Sequence, residues 1–194
     1  MKQQTPELPI ILFEDQKSLE DWLNINADTS PGFWIRFAKK GSGITAVSYD
    51  EAVESGLCYG WIDSQAKSYD DKTWIQRFTP RGKKSIWSKI NTEKAEQLIA
   101  NGRMTPSGLK AIEIAKQNGN WDNAYEPQST ATLPDDFAEK LEQNPKAKSF
   151  FETLNSQNRY AILFRIKNAK KQETRANRIH QFIEMLENGI KIYP

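Results

Sequence analysis

The apolar residues of this chain change their spacing at Pro80. Before it they come in short aromatic and β-branched runs: Ile10-Ile11-Leu12-Phe13, Phe33-Trp34-Ile35-Arg36-Phe37-Ala38 and Thr73-Trp74-Ile75-Gln76-Arg77-Phe78. The last of these alternates as a half-buried strand does. After Pro80 the apolar residues recur every three or four positions, the period of a helix with one buried face. The extended stretch from Cys58 to Tyr69, punctuated by Asp70-Asp71-Lys72, pairs naturally with the run that follows it as a hairpin. Four strand candidates without regular helical crossovers between the last two specify an α+β fold. The expected architecture is a small, mainly antiparallel sheet with helices on one side, followed by an all-helical C-terminal module.

Helix starts are written clearly. Ser48-Tyr49-Asp50-Glu51 has capping-box spacing and predicts a helix over 49–57. Thr105-Pro106 places an N-cap before a proline at the first helical position, and Asn144-Pro145 repeats that arrangement. Ser88 or Thr92 serves as cap for a helix running to residue 100. Residues 133–194 read as consecutive short helices, the last with Ile179, Phe182, Ile183 and Leu186 inward. The polar, proline-bearing stretch 121–132, with Trp121 and Tyr125 as anchors, separates a domain over 1–120 from the helical module over 133–194.

Chemistry is limited by what the chain lacks. Of 194 residues one is cysteine and one histidine, so neither an intramolecular disulfide nor a cysteine–histidine zinc site is available. No Walker loop or dinucleotide fingerprint occurs in its required setting. No cofactor and no metal are therefore expected. The longest apolar runs fall far short of the roughly 20 residues a membrane helix needs, and no secretory apolar region follows the start. Cytoplasm is the expected location.

Charge is segregated rather than extreme. The net charge is +2, yet between Asp71 and Glu93 lie Lys72, Arg77, Arg81, Lys83, Lys84 and Lys89 without one acid. Between Glu152 and Glu173 lie Arg159, Arg165, Lys167, Lys170 and Lys171, again unopposed. The expectation is that folding brings the two windows into one positive surface. Within the first window, guanidinium forks, ammonium groups and flat rings are what an anion site uses. The candidate ligand-binding set is Trp61, Asp63, Arg77, Arg81, Lys83, Lys84, Trp87, Lys89 and Asn91. The plainer reading places Phe78, Ile86 and Trp87 in the core and leaves a basic loop facing water.

Two other functions suit the same residues. Cys58, the one thiol, and Asp63, an acid within an aromatic segment, could line the pocket of an enzyme of unassigned reaction. Alternatively, bases of a nucleic acid could stack on Trp74, Phe78 or Trp87 beside the cations. The first choice is a non-enzymatic binding module for an anionic small molecule or acidic macromolecule.

Three segments carry a resemblance. Leu57-Cys58-Tyr59-Gly60-Trp61-Ile62-Asp63, the stretch from Arg77-Phe78-Thr79-Pro80-Arg81 through Ser85-Ile86-Trp87-Ser88-Lys89-Ile90-Asn91, and Gly102-Arg103-Met104-Thr105-Pro106-Ser107-Gly108-Leu109 resemble the bacterial YdeI or OmpD-associated family. Ala169-Lys170-Lys171-Gln172-Glu173-Thr174-Arg175-Ala176-Asn177-Arg178-Ile179 resembles the signature of its helical module. The resemblance implies bacteriocin protection, resistance to cationic antimicrobial peptides and association with an outer-membrane porin. It supplies no catalytic residues. A positive patch repels cationic peptides, so direct capture of one by this patch is not expected.

Overall fold

The structure, a computed structural model, describes residues 7–194 and divides into two compact units, residues 7–87 with 91–124 and residues 88–90 with 125–194. Of the stretch 121–132, residues 121–124 group with the first unit and 125–132 with the second. In the first unit β1 (Ile10–Ile11) leads to α1 (Gln16–Asn26), β2 (Phe33–Ala38), α2 (Tyr49–Cys58), β3 (Trp61–Ser68), β4 (Thr73–Pro80), α3 (Lys89–Ala100) and α4 (Pro106–Gln117). The strands form one sheet in the order β1-β2-β4-β3, parallel only between β1 and β2. This is the expected α+β architecture.

Strand alternation divides the side chains between two faces. Phe33 pairs with Phe78, Ile35 with Gln76 and Phe37 with Trp74. The rings of Phe33, Phe37, Phe78 and Trp61 pack against Leu19 and Leu23 of α1, Ala52 and Leu57 of α2, Leu98 of α3 and Ile112 of α4 in one core cluster. The opposite face takes Trp34 with Arg77 and Arg36 with Ile75 across β2 and β4, and Lys67 opposite Ile75 from β3. Neither Trp34 nor Ile75 belongs to that cluster.

Local chemistry fixes the helices as the sequence implies. Ser48 and Glu51 close a capping box at α2, and the Thr105 hydroxyl accepts from the Gly108 N–H at α4, with Pro106 in the first turn. The end of α2 meets the start of α4 closely. Thr105 donates to the Cys58 carbonyl from both its N–H (3.1 Å) and its hydroxyl (2.6 Å). A Cβ on Gly108 would stand 2.3 Å from that same carbonyl oxygen, so only glycine allows the approach. Gly60, at φ +75°, turns the chain from α2 into β3.

The second unit holds α5 (Asp135–Glu142), α6 (Pro145–Thr153), α7 (Ser156–Lys167) and α8 (Gln172–Glu187) around Phe137, Leu154, Ile162, Ile166 and Leu186. Asn144 precedes Pro145 without capping α6. Its amide donates instead to the Lys140 carbonyl at 2.8 Å, one turn back in α5. Asn158, 1% exposed, accepts from the N–H groups of Ile192 and Tyr193 and thereby pins the C-terminal tail.

Candidate functional site

The basic run after β4 is built around Arg81. Its guanidinium lies 3.7 Å from the ring centre of Trp87, and it donates to the carbonyls of Trp61 and Ile86, both at 3.2 Å. Arg81 thus ties the start of β3 to the segment that follows β4. Trp61 and Trp87 are each 2% exposed, and Trp87 packs on Trp121 with ring centres 4.9 Å apart. Their rings are spent in the core and present no open face. The same holds for Phe78, also 2% exposed, while Trp74 stacks on Phe37 at 4.7 Å.

Lys83 and Lys84 stand exposed on the loop between Gly82 and Ser85, where Ser85 donates its N–H to the Gly82 carbonyl and accepts from the Gly82 N–H. Asn118 and Asn120 hold this loop by donating to the carbonyls of Lys83 and Ser85. The cleft beneath, between the loop and α4, has a volume of about 10 Å³, space for roughly one water. Lys89 pairs with Glu126 at 3.1 Å within the second unit, and Asn91 is half-buried in the first turn of α3.

Asp63 and Arg77 lie on opposite faces of the sheet. Asp63 is on the helix side, accepting from the Tyr49 hydroxyl at 2.8 Å and the Gln76 amide at 2.9 Å. Cys58 is sealed in the core, where burial pushes its thiol up to about 11. At neutral pH it is a protonated packing group, not a nucleophile.

Arg77 is the anomaly. Its Nε is buried and has no hydrogen-bond partner among the described residues. Beside it on the second face, the Lys67 ammonium stands 4.8 Å from the ring centre of Trp34. Among the described residues neither Lys67 nor Arg77 has a carboxylate within ion-pairing distance. Further along the face, Arg36 lies 4.8 Å from the ring centre of Tyr69, pairs with Asp70 at 2.7 Å and donates through Nε to the Thr73 hydroxyl at 3.0 Å. The Thr73 hydroxyl, the Lys72 N–H and Arg36 hold the Asp70 carboxyl below its usual range.

Trp34, Arg36 and Lys67 were not among the residues the sequence marked. The alternation of Phe33-Trp34-Ile35-Arg36-Phe37-Ala38 already puts Trp34 and Arg36 on the face away from the phenylalanines. Placing Arg77 beside them requires the β2–β4 register, and placing Lys67 requires the bulge between Asp63 and Ala66.

The second basic window lies in the helical unit and is largely committed there. Arg159 donates to the Leu154 carbonyl, Arg165 to the Ala161 carbonyl, and Lys167 pairs with Glu126 at 3.2 Å. Nearby, Arg178 donates to the Arg165 carbonyl, and Arg175 grips both oxygens of Asp136 at 2.6 and 2.8 Å. A cavity of about 450 Å³ opens beside that pair between α5 and α8, floored by Ile179 and Ile183, with exposed His180 among its lining residues.

Two family models match this chain. Residues 11–111 match a domain of unknown function, DUF8412, and residues 130–189 match the family described as bacteriocin-protection, YdeI or OmpD-associated. The first match runs from the end of β1 to the middle of α4, more than half the chain, and the second spans the four C-terminal helices. No curated protein and no solved structure matches.

Proposed function

Because the chain belongs to the DUF8412 family through its sheet-bearing unit and carries a YdeI/OmpD-associated helical module behind it, we propose that it is a non-enzymatic binding module that holds an anion on the second face of its sheet. Arg77 is the principal donor and Lys67 the second charge. The observation that carries this reading is the orphaned Nε of Arg77. A buried donor without an acceptor costs about 1–3 kcal/mol, and a guanidinium that turns outward onto an oxyanion loses that cost while its charge, which no carboxylate offsets, is met. Lys83 and Lys84, exposed on the same unit, act as steering charges that raise the local concentration of anions. A protective role, the description attached to the helical module's family, would then operate through this anionic partner, since the face repels a cationic peptide. A cytoplasmic setting belongs to the same proposal.

Thermal unfolding in increasing inorganic phosphate, pyrophosphate and sulfate tests it. The midpoint of the wild-type chain rises with at least one of these anions, by the linkage of binding to folding. Arg77→Met keeps its anion-free stability but loses the increment. An increment of equal size in Arg77→Met, or none in the wild type, overturns the proposal.

A further inference from the structure

Resting on that anion reading, we infer that the natural occupant of the second face is a single-stranded nucleic acid, its bases stacked on Trp34 and Tyr69 and its phosphates held by Arg77 and Lys67. A sheet face has no walls to enclose a small molecule, so an occupant must be held by contacts spread along it. This face supplies them in repeating form: a ring with a cation, Trp34 with Lys67, then a second ring with a cation, Tyr69 with Arg36. Trp34 and Arg36 stand two residues apart on β2, about 7 Å along the strand. The two ring–cation units therefore form a row rather than one cluster, which suits a polymer with alternating bases and charges.

The chemistry of each unit favours bases over other anionic groups. An acidic peptide or a sulfated sugar would use the cations and leave the rings idle, whereas every base has a π-face and stacks without regard to sequence. Lys67 is exposed and among the described residues has no partner besides the Trp34 ring, so it can swing from the ring to a phosphate when a base takes its place. Arg36 cannot move in that way, being fixed by Asp70 and Thr73. It backs the Tyr69 ring, which is 47% exposed, and leaves the other side of that ring for a base. Duplex bases are already stacked on one another and cannot use either ring.

Fluorescence anisotropy of the full chain with a labelled oligothymidylate of about 15 nucleotides, and with its RNA counterpart, reads the inference directly. Binding at low salt is expected, with affinity falling as salt rises because counterions are released. Trp34→Ala should weaken the oligonucleotide about tenfold and leave heparin, a polyanion without bases, within twofold. Trp34→Phe, which keeps a stacking surface, should restore most of the affinity and guards against a folding defect. Arg77→Met should weaken both polyanions. The inference is overturned by equal binding of a duplex, by oligonucleotide affinity indifferent to Trp34→Ala, or by no binding at low salt. If pyrophosphate still stabilises the protein through Arg77 in any of those cases, the anion reading survives its loss. If no anion stabilises the chain either, both fall together.

Discussion

The two faces of this sheet are made by the same strands and put similar side chains to opposite uses. On the helix side, Phe33, Phe37, Phe78 and Trp61 share one core cluster with residues of the helices, and each is 2% exposed or less. On the other side Trp34 is half-buried and lies under a lysine rather than a leucine. The polar groups divide in the same way. Gln76, on the helix side, spends its amide on Asp63 and the Ser64 carbonyl, whereas Arg77, one residue on, leaves its Nε without an acceptor. A satisfied face is a folding device. The proposed anion site lies on the face that leaves a buried donor without an acceptor.

The largest test of this contrast is to truncate one ring from each class. Trp87→Ala empties a fully packed site and removes the platform of Arg81, so a loss of about 3–5 kcal/mol is expected in urea unfolding. Trp34→Ala removes a half-buried ring outside the core, and should cost about 1 kcal/mol, the usual scale for a single substitution. Equal losses would mean that the second face is as structural as the first.

A sharper comparison uses two arginines that look alike in the sequence. Arg81→Ala strips two carbonyls of their donor and uncovers the Trp87 ring, and is expected to cost about 2 kcal/mol. Arg77→Met keeps the bulk of the side chain and deletes a buried donor that has no acceptor. The anion-free chain should lose nothing, or gain up to about 1 kcal/mol. If Arg77→Met proves as damaging as Arg81→Ala, the guanidinium is part of the fold and its vacant donor carries no message about a ligand.

These pairs also show where sequence reading stops. The strand alternation, the capping box at Ser48 and the Thr105-Pro106 start are local signals, each contained in six residues or fewer, and the structure has all of them. Asn144-Pro145 is as local in form, yet Asn144 turns its amide back to the Lys140 carbonyl of α5 and leaves α6 without a side-chain cap. The site depends on information of another kind. Arg77, Arg81, Lys83, Lys84 and Lys89 form one basic run in the chain, but β4 ends within that run and its residues part company. Arg77 goes to one face of the sheet, Arg81 returns to the core side, the two lysines reach a loop tip, and Lys89 joins Glu126 in the second unit. Conversely, Trp34, Lys67 and Arg77 come from three strands, and only the pairing register assembles them. Nearness along the chain overstated one cluster and concealed the other.

The smallest expected effect concerns the anchored end of the second face. Asp70 is held below the ordinary carboxylate range, first by the Thr73 hydroxyl, then by the Lys72 and Thr73 N–H groups and by Arg36. A carboxylate whose folded value is depressed adds stability above its unfolded value, near 3.8, and that stability drains away as pH falls through the folded value. Wild-type and Asp70→Asn chains should therefore differ most above pH 4, and their unfolding midpoints should converge as the medium becomes more acidic. Asp70 is exposed, so the difference is small and shrinks with added salt. The consequence for the face is larger than the stability change. Without that carboxylate Arg36 is held by the Thr73 hydroxyl alone, and the cation behind Tyr69 is less firmly fixed. Asp70→Asn should then weaken oligonucleotide binding even though it removes a negative charge from the proposed anion-binding face. If the substitution tightens binding instead, net charge governs this face, and the ordered row of rings and cations does not.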